Sequence, residues 1–168
     1  SHPIETELAK MITDLIPCAD MVRFAKNGSD ATSASIRLAR AYTGKEHVAV
    51  CGYHGWHDWY IGSTTRDLGI TTDGKRFTHK FQYNDLDALE NLLNTHKRKF
   101  AAVIMEPMNV EWPKKGYLKK VAQLTRSHGA LLIFDETITG FRFNLSGAQR
   151  YFNVTPDIAT FGKGIANG

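Results

Sequence analysis

Cysteine is nearly missing from this chain of 168 residues: Cys18 and Cys51 are its only two, and neither sits in a C-x-x-C pair or at Cys/His ligand spacing. A disulfide framework or a cysteine zinc site is therefore not expected, and a reducing compartment is. Long apolar runs are missing too. No stretch approaches the roughly 18 residues of a membrane-spanning helix, and Ser1-His2-Pro3-Ile4-Glu5 has no charged-then-apolar leader pattern. These absences set the expectation of a soluble, cytoplasmic protein with no membrane partner. Charge of one sign is not concentrated either. The formal net charge is +4, but Lys97-Arg98-Lys99, Lys114-Lys115 and Lys119-Lys120 are interleaved with acidic and apolar positions, as on a solvated surface. Nucleic acid is not an expected partner.

What is present suffices for one sizeable core, since 42% of the residues are hydrophobic. Leu8, Met11, Ile12 and Leu15 recur at helical spacing over Glu5 to Leu15, and Pro17 ends the run. Met21 to Ala25 is short and strand-like. Ser29-Asp30-Ala31 opens a second helix that Gly44 closes. His47 to Cys51, Phe100 to Met105, Leu131 to Phe134 and Ile158 to Phe161 read as buried strands, whereas Asp85 to His96, Gly116 to His128 and Ser146 to Phe152 read as helices. Residues 52–80 have no clean period and predict a long functional loop with short pieces of structure. Alternating strands and helices predict an α/β domain of three layers, a mainly parallel sheet flanked by helices, with ligands at the carboxyl ends of the strands.

The candidate site residues fall on those strand ends. Gly28-Ser29 stands between a strand and a helix, where backbone N–H groups and the helix dipole face an anion such as phosphate; taken alone, Ser29 as an N-cap with glycine easing the turn is the stronger reading, and the two are compatible. Asp135 follows four apolar residues, so its carboxylate needs a buried partner. A protonated pyridine nitrogen is one such partner. Tyr53-His54-Gly55-Trp56-His57-Asp58-Trp59-Tyr60 is dense in flat side chains, with Tyr53 able to stack on a planar ring and Gly55 letting the backbone pass close. His54, His57 and Asp58 also admit a metal, but a packed aromatic loop is the plainer reading. Lys163, in Thr160-Phe161-Gly162-Lys163-Gly164, follows a buried strand, where desolvation would lower its pKa and make it a Schiff-base nucleophile.

Several ordered motifs then point one way: Asn27-Gly28-Ser29-Asp30-Ala31, Tyr53-His54-Gly55, Glu106-Pro107, Phe134-Asp135-Glu136-Thr137-Ile138-Thr139-Gly140-Phe141-Arg142, Gly147-Ala148-Gln149 and Thr155-Pro156-Asp157 leading to Gly162-Lys163. Over nearly its whole length the chain resembles the class III aminotransferases of fold type I, and among them the glutamate-1-semialdehyde aminomutase-like branch. The resemblance implies pyridoxal 5'-phosphate as cofactor, with Lys163 joined to it and shuttling protons, Asp135 on the pyridine nitrogen, Tyr53 stacked on the ring, and Gly28 and Ser29 on the phosphate. His54 would flank the ring, and Glu106 would stand behind the residues that touch it.

It also implies transfer of an amino group between a small amine or amino acid and a carbonyl acceptor, or, as the alternative, intramolecular transfer on glutamate-1-semialdehyde. Glu111 stands where many transaminases carry glutamate and the aminomutase asparagine, so the substrate stays open. Residues 1–168 are expected to be the central part of the cofactor-binding large domain, without the family's small C-terminal domain. A homodimer is expected, with the loop at 52–80 at its boundary because Trp56, Trp59 and Tyr60 have no period that buries them within one chain. Two rivals come from other classes. One is a nucleotide module on Gly162-x-Gly164-x-x-x-Gly168, whose spacing is wrong for the dinucleotide fingerprint; the other is a non-catalytic scaffold.

Overall fold

The computed structural model describes residues 2–165. Helix α1 spans Pro3–Leu15, capped by the His2 side chain, and α2 spans Gly28–Thr43, where Asn27 and Asp30 form a reciprocal capping box and Gly44 ends the helix in the left-handed conformation. Strand β1 (His47–Cys51) follows, then the short helices α3 (Asp58–Ile61) and α4 (Thr72–Lys75), and strand β2 (Thr78–Lys80). The rest alternates: α5 (Leu86–Thr95), β3 (Phe100–Met105), α6 (Tyr117–Ser127), β4 (Leu131–Glu136), α7 (Gly147–Phe152) and β5 (Ile158–Phe161).

The five strands form one sheet in the order β2-β1-β3-β4-β5, and every pairing is parallel. Because side chains alternate across a strand, each strand feeds two cores. Val48, Val50, Ile104 and Ile133 pack with Ile36 and Ala39 of α2 on one face. Ala49, Cys51, Val103, Met105, Leu132 and Phe134 pack with Leu89 and Leu93 of α5 and Leu118 and Val121 of α6 on the other. Three layers result, as the alternation predicts. The chain steps outward from β1 to β2 and then returns past β1 to β3, so the order of the strands reverses between β1 and β3, the type of place where open α/β sheets bind ligands. No helix among the described residues is long and apolar enough to cross a membrane.

Two expectations need correction, the strand at Met21 to Ala25 and the aromatics of the loop at 52–80. Met21 to Ala25 is not a strand: no ladder includes it, and Met21 is 88% exposed, so its alternation has no apolar surface to cover. The segment at 52–80 ends in β2, an edge strand too short for a sequence period to reveal. Within that segment Tyr60 is buried against the α2-side core and donates its hydroxyl to the Gly52 carbonyl (2.8 Å), and Trp59 donates to Ser33 Oγ (2.8 Å), so of the three aromatics only Trp56 is largely exposed.

Burial assigns the stability. Replacing Leu132, fully buried in β4, by alanine is expected to cost about 2–5 kcal/mol in urea unfolding. Leu38→Ala, on the exposed side of α2, should change it by less than about 0.5 kcal/mol. Equal losses would show that the two-sided sheet is not the core.

Candidate active site

Asp135 and Glu136 end β4 and, by strand alternation, leave it on opposite faces. Asp135 points to the α2 side and is 3% exposed. Its Oδ2 accepts from His54 Nδ1 (2.9 Å), and its Oδ1 accepts from the Thr137 N–H (3.1 Å) and Thr160 Oγ1 (3.2 Å). Burial pushes its pKa up, but the His54 hydrogen bond and charge, with the Thr137 contacts, outweigh it and hold the carboxyl below its ordinary value. Asp135 is thus kept ionised and oriented before any ligand arrives. His54 itself is enclosed beneath Asp135, its Nε2 against the Cys51 carbonyl (3.2 Å), so it does not flank an open pocket as the sequence suggested.

The start of α2 meets this strand end. The N–H groups of Gly28 and Ser29 occupy the first helical turn, which has no acceptors within the helix. A Cβ on Gly28 would lie 3.5 Å from Thr137 Cγ2, and one on Gly162 would lie 3.1 Å from the same atom, so α2, the end of β4 and the exit of β5 converge on Thr137. Gly55, at φ +102°, closes the cradle from the β1 side: a Cβ there would come within 2.4 Å of Ser29 Oγ. Ser29 Oγ also accepts from the Trp56 N–H (3.3 Å). Ser29 therefore fixes the loop after β1 and stands at a helix N-terminus suited to an anion.

Lys163 comes next in the chain after Gly162 and opens a short 3-10 turn with φ +43°, a left-handed backbone that costs a non-glycine residue roughly 1–3 kcal/mol. It is exposed within the described residues. The desolvation expected of it does not come from β5 or from the turn, because the side chain leaves the sheet beyond its last ladder residue. Tyr53 is 58% exposed, with its ring edge-on to Tyr60 at 5.7 Å, so it offers an open aromatic face at the mouth of the site. Of the proposed glycine-rich nucleotide motif, Gly168 lies outside the described residues.

Glu106, just past β3, is buried and accepts on Oε2 from the Tyr53 N–H (3.2 Å) and Asn109 Nδ2 (2.6 Å). Burial raises its pKa, and these hydrogen bonds and the His54 charge only partly counter it. Glu111 faces away, accepting from Asn84 Nδ2 (3.3 Å) on the surface. Sequence reasoning missed the role of Glu136, which is fully buried on the α6 side and accepts from the Gln149 N–H (3.2 Å), Gln149 Nε2 (3.0 Å), Thr139 Oγ1 (3.2 Å) and the Ala148 N–H. The signal was available in strand alternation: of two adjacent acids, only one can face α2. The cysteines supply no nucleophile, since burial pushes Cys51 up to about 12 and Cys18 up to about 11.

A family model described as "Aminotransferase class-III" matches residues 2–168. The chain belongs to that family. It is 45% identical to the 3-aminobutyryl-CoA aminotransferase of Cloacimonas acidaminovorans, aligned over 100% of this chain and 41% of the relative, and 43% identical to the glutamate-1-semialdehyde 2,1-aminomutase of Methanosphaera stadtmanae, over 98% and 42%. Its fold superposes on the taurine:2-oxoglutarate aminotransferase of Bifidobacterium kashiwanohense, solved in complex with PLP and glutamate, with a TM-score of 0.85 at 26% identity over 96% of this chain and 43% of that one. The chain spans about two-fifths of the length of the curated relatives it matches.

The raised pKa of Glu106 gives a pH test within this class III aminotransferase chain. A buried carboxyl whose folded pKa lies above its unfolded value destabilises the fold at higher pH, and the penalty disappears as pH falls through the folded pKa. Glu106→Gln keeps one oxygen to accept from Tyr53 and Asn109. It should raise the urea midpoint at pH 7.5 and lose that advantage as the pH drops through the carboxylate range. A gain of constant size across pH would refute a burial origin.

Proposed function

We propose that the protein containing this chain is a pyridoxal-phosphate enzyme that moves an amino group between a small amine or amino acid and a carbonyl compound. The observation that carries the reading is the buried, ionised Asp135, held by His54, Thr137 and Thr160 where the start of α2 and the exit of β5 converge. The donors present fit the cofactor. Three hydrogen bonds leave the Asp135 carboxylate capacity for one more, toward a protonated ring nitrogen. Gly28, Ser29 and the first turn of α2 would take the phosphate, and Tyr53 would cover the ring. When bound, this cofactor withdraws electrons from the carbon that loses its proton.

The chain's own residues do the rest. Asp135 would hold a proton on the ring nitrogen. His54 orients Asp135 from beneath without touching the ligand. Lys163 would be the amine that holds the cofactor and, as a free base, would carry the proton between the two carbons that exchange it. Glu106 holds the Tyr53 backbone in place. Intramolecular transfer, as in the aminomutase relatives, uses the same residues and is favoured by the many aminomutases of similar identity. We assign residues 1–168 to the cofactor-binding large domain and place the protein in the cytoplasm as a homodimer. Exposed Tyr53 and Trp56 at the mouth of the site support a second copy covering it.

Two measurements on the full-length enzyme test this. Borohydride reduction in the presence of pyridoxal phosphate should fix the pyridoxyl mass on the Lys163 peptide; label on another lysine would remove Lys163 from the role. Asp135→Asn should keep the circular dichroism of the parent and lower turnover by about 100- to 10,000-fold. Near-parental turnover would mean that Asp135 serves only the fold.

A further inference from the structure

The start of β1 and the sheet edge at β2 gather three histidines that the candidate active site does not use. His47 opens β1, His79 is the middle residue of β2, and His96 ends α5. All three are half-buried, and one ligand nitrogen from each lies within 4.8 Å of the other two. His47 Nδ1 and His79 Nε2 are 2.8 Å apart, with ring planes 5° from parallel and centroids 5.0 Å apart. Rings stacked face to face keep their heavy atoms roughly 3.5 Å apart or more. This pair therefore meets edge to edge, with an N–H of one ring aimed at the lone pair of the other. The His96 centroid lies 4.7 Å from both rings, tilted by 32° and 34°. Buried Phe100 packs edge-on against all three, at 5.6 to 6.0 Å.

We propose that His47, His79 and His96 bind one borderline transition-metal ion, Zn²⁺ foremost, which pins the edge strand β2 and the end of α5 to β1. Imidazole donors suit zinc, copper and nickel and do not suit magnesium or calcium, and three of them with an open fourth position make a recognised zinc donor set. With metal–nitrogen bonds of about 2.0–2.1 Å, tetrahedral ligands sit about 3.3 Å from one another. The His47–His79 pair must open by about half an ångström and the longest separation close by about 1.5 Å, which side-chain rotation at half-buried positions supplies. The proton now shared between His47 and His79 moves to the other nitrogen of its own ring, so both imidazoles stay neutral and none is released. Neutrality is already imposed on His79, whose pKa burial, with His47 and His96 beside it, pushes down to about 4. Arg76 and Lys99 beside His47 oppose a dication and Glu46 favours one.

The site acts on the fold and not on amino-group chemistry, because His47 begins β1 whereas Tyr53 and His54 follow its end, and His79 lies at the edge opposite β5. Its target is a weak element. Strand β2 has three residues and one neighbour in the sheet.

The test uses chelator-treated full-length protein carrying its cofactor, titrated with Zn²⁺ by calorimetry and with Co²⁺ by visible absorption. One ion per chain should bind, Tm should rise at saturating Zn²⁺, and Mg²⁺ should do neither. His96→Gln and His79→Gln should each weaken Zn²⁺ binding by at least roughly tenfold and remove the rise in Tm, while His128→Gln, at the end of α6, leaves both as in the parent. If His79→Gln fails to fold, His96→Gln at the helix end still decides. No Zn²⁺ bound by the parent, or binding and a rise in Tm that survive His96→Gln, overturns the proposal.

Discussion

Strand β4 ends in two buried carboxyl groups, and since successive side chains leave a strand on opposite faces, the chain must supply hydrogen-bond donors on both sides of the sheet at once. Each demand organises one side. Toward α2, Asp135 draws in His54 from the loop after β1, Thr137 from its own turn and Thr160 from β5. Toward α6, Glu136 receives the first N–H groups of α7 and the Gln149 amide, and through Gln149 it reaches back to Cys18, whose N–H is 3.1 Å from Gln149 Oε1. One acid builds the site and the other anchors the chain around it. Removing a partner from either would leave a buried charge short of donors, a costlier defect than losing an apolar contact of the same size.

Glycine enforces the same convergence where side chains have no room. Gly52 takes φ +109°, and a Cβ there would meet Glu106 Oε2 at 2.4 Å; Gly147 takes φ +78°, and its Cβ would sit 2.8 Å from both oxygens of Glu136. Both positions need positive φ and contact a buried carboxylate, so the glycines and the acids depend on each other. The backbone at these points is as specific to the site as the side chains are.

Much of this was legible because it is local. The six-residue apolar run of β3 and the left-handed Gly44 each follow from residues a few positions apart, whereas the N-cap of α2 is Asn27, in a reciprocal box with Asp30, and not Ser29, which lies inside the first turn. Met21 to Ala25 misled for the same reason: local alternation resembles a strand, but a strand needs a partner and a surface. His47, His79 and His96 were invisible in the opposite way, since 32 and 17 residues separate them in sequence and only the parallel pairing of β1 with β2, and the end of α5 beside them, brings them together. His54 was found by motif, yet its function of holding Asp135 from below depends on depth, which no sequence pattern encodes.

The acid and the lysine of the site are prepared differently, and the difference has a physical reason. Asp135 is buried with its donors in place, so its charge is stabilised by folding and costs no reorganisation when a cation or protonated ring approaches. Lys163 stands exposed on a left-handed backbone immediately beyond the sheet. In the role proposed for Lys163, bonding, release and proton transfer would be hindered by a donor network like that of Asp135, because each hydrogen bond that fixed it would have to be broken at every step. The donor-held acid therefore belongs on a central strand, and the exposed lysine on the turn that follows the edge strand β5.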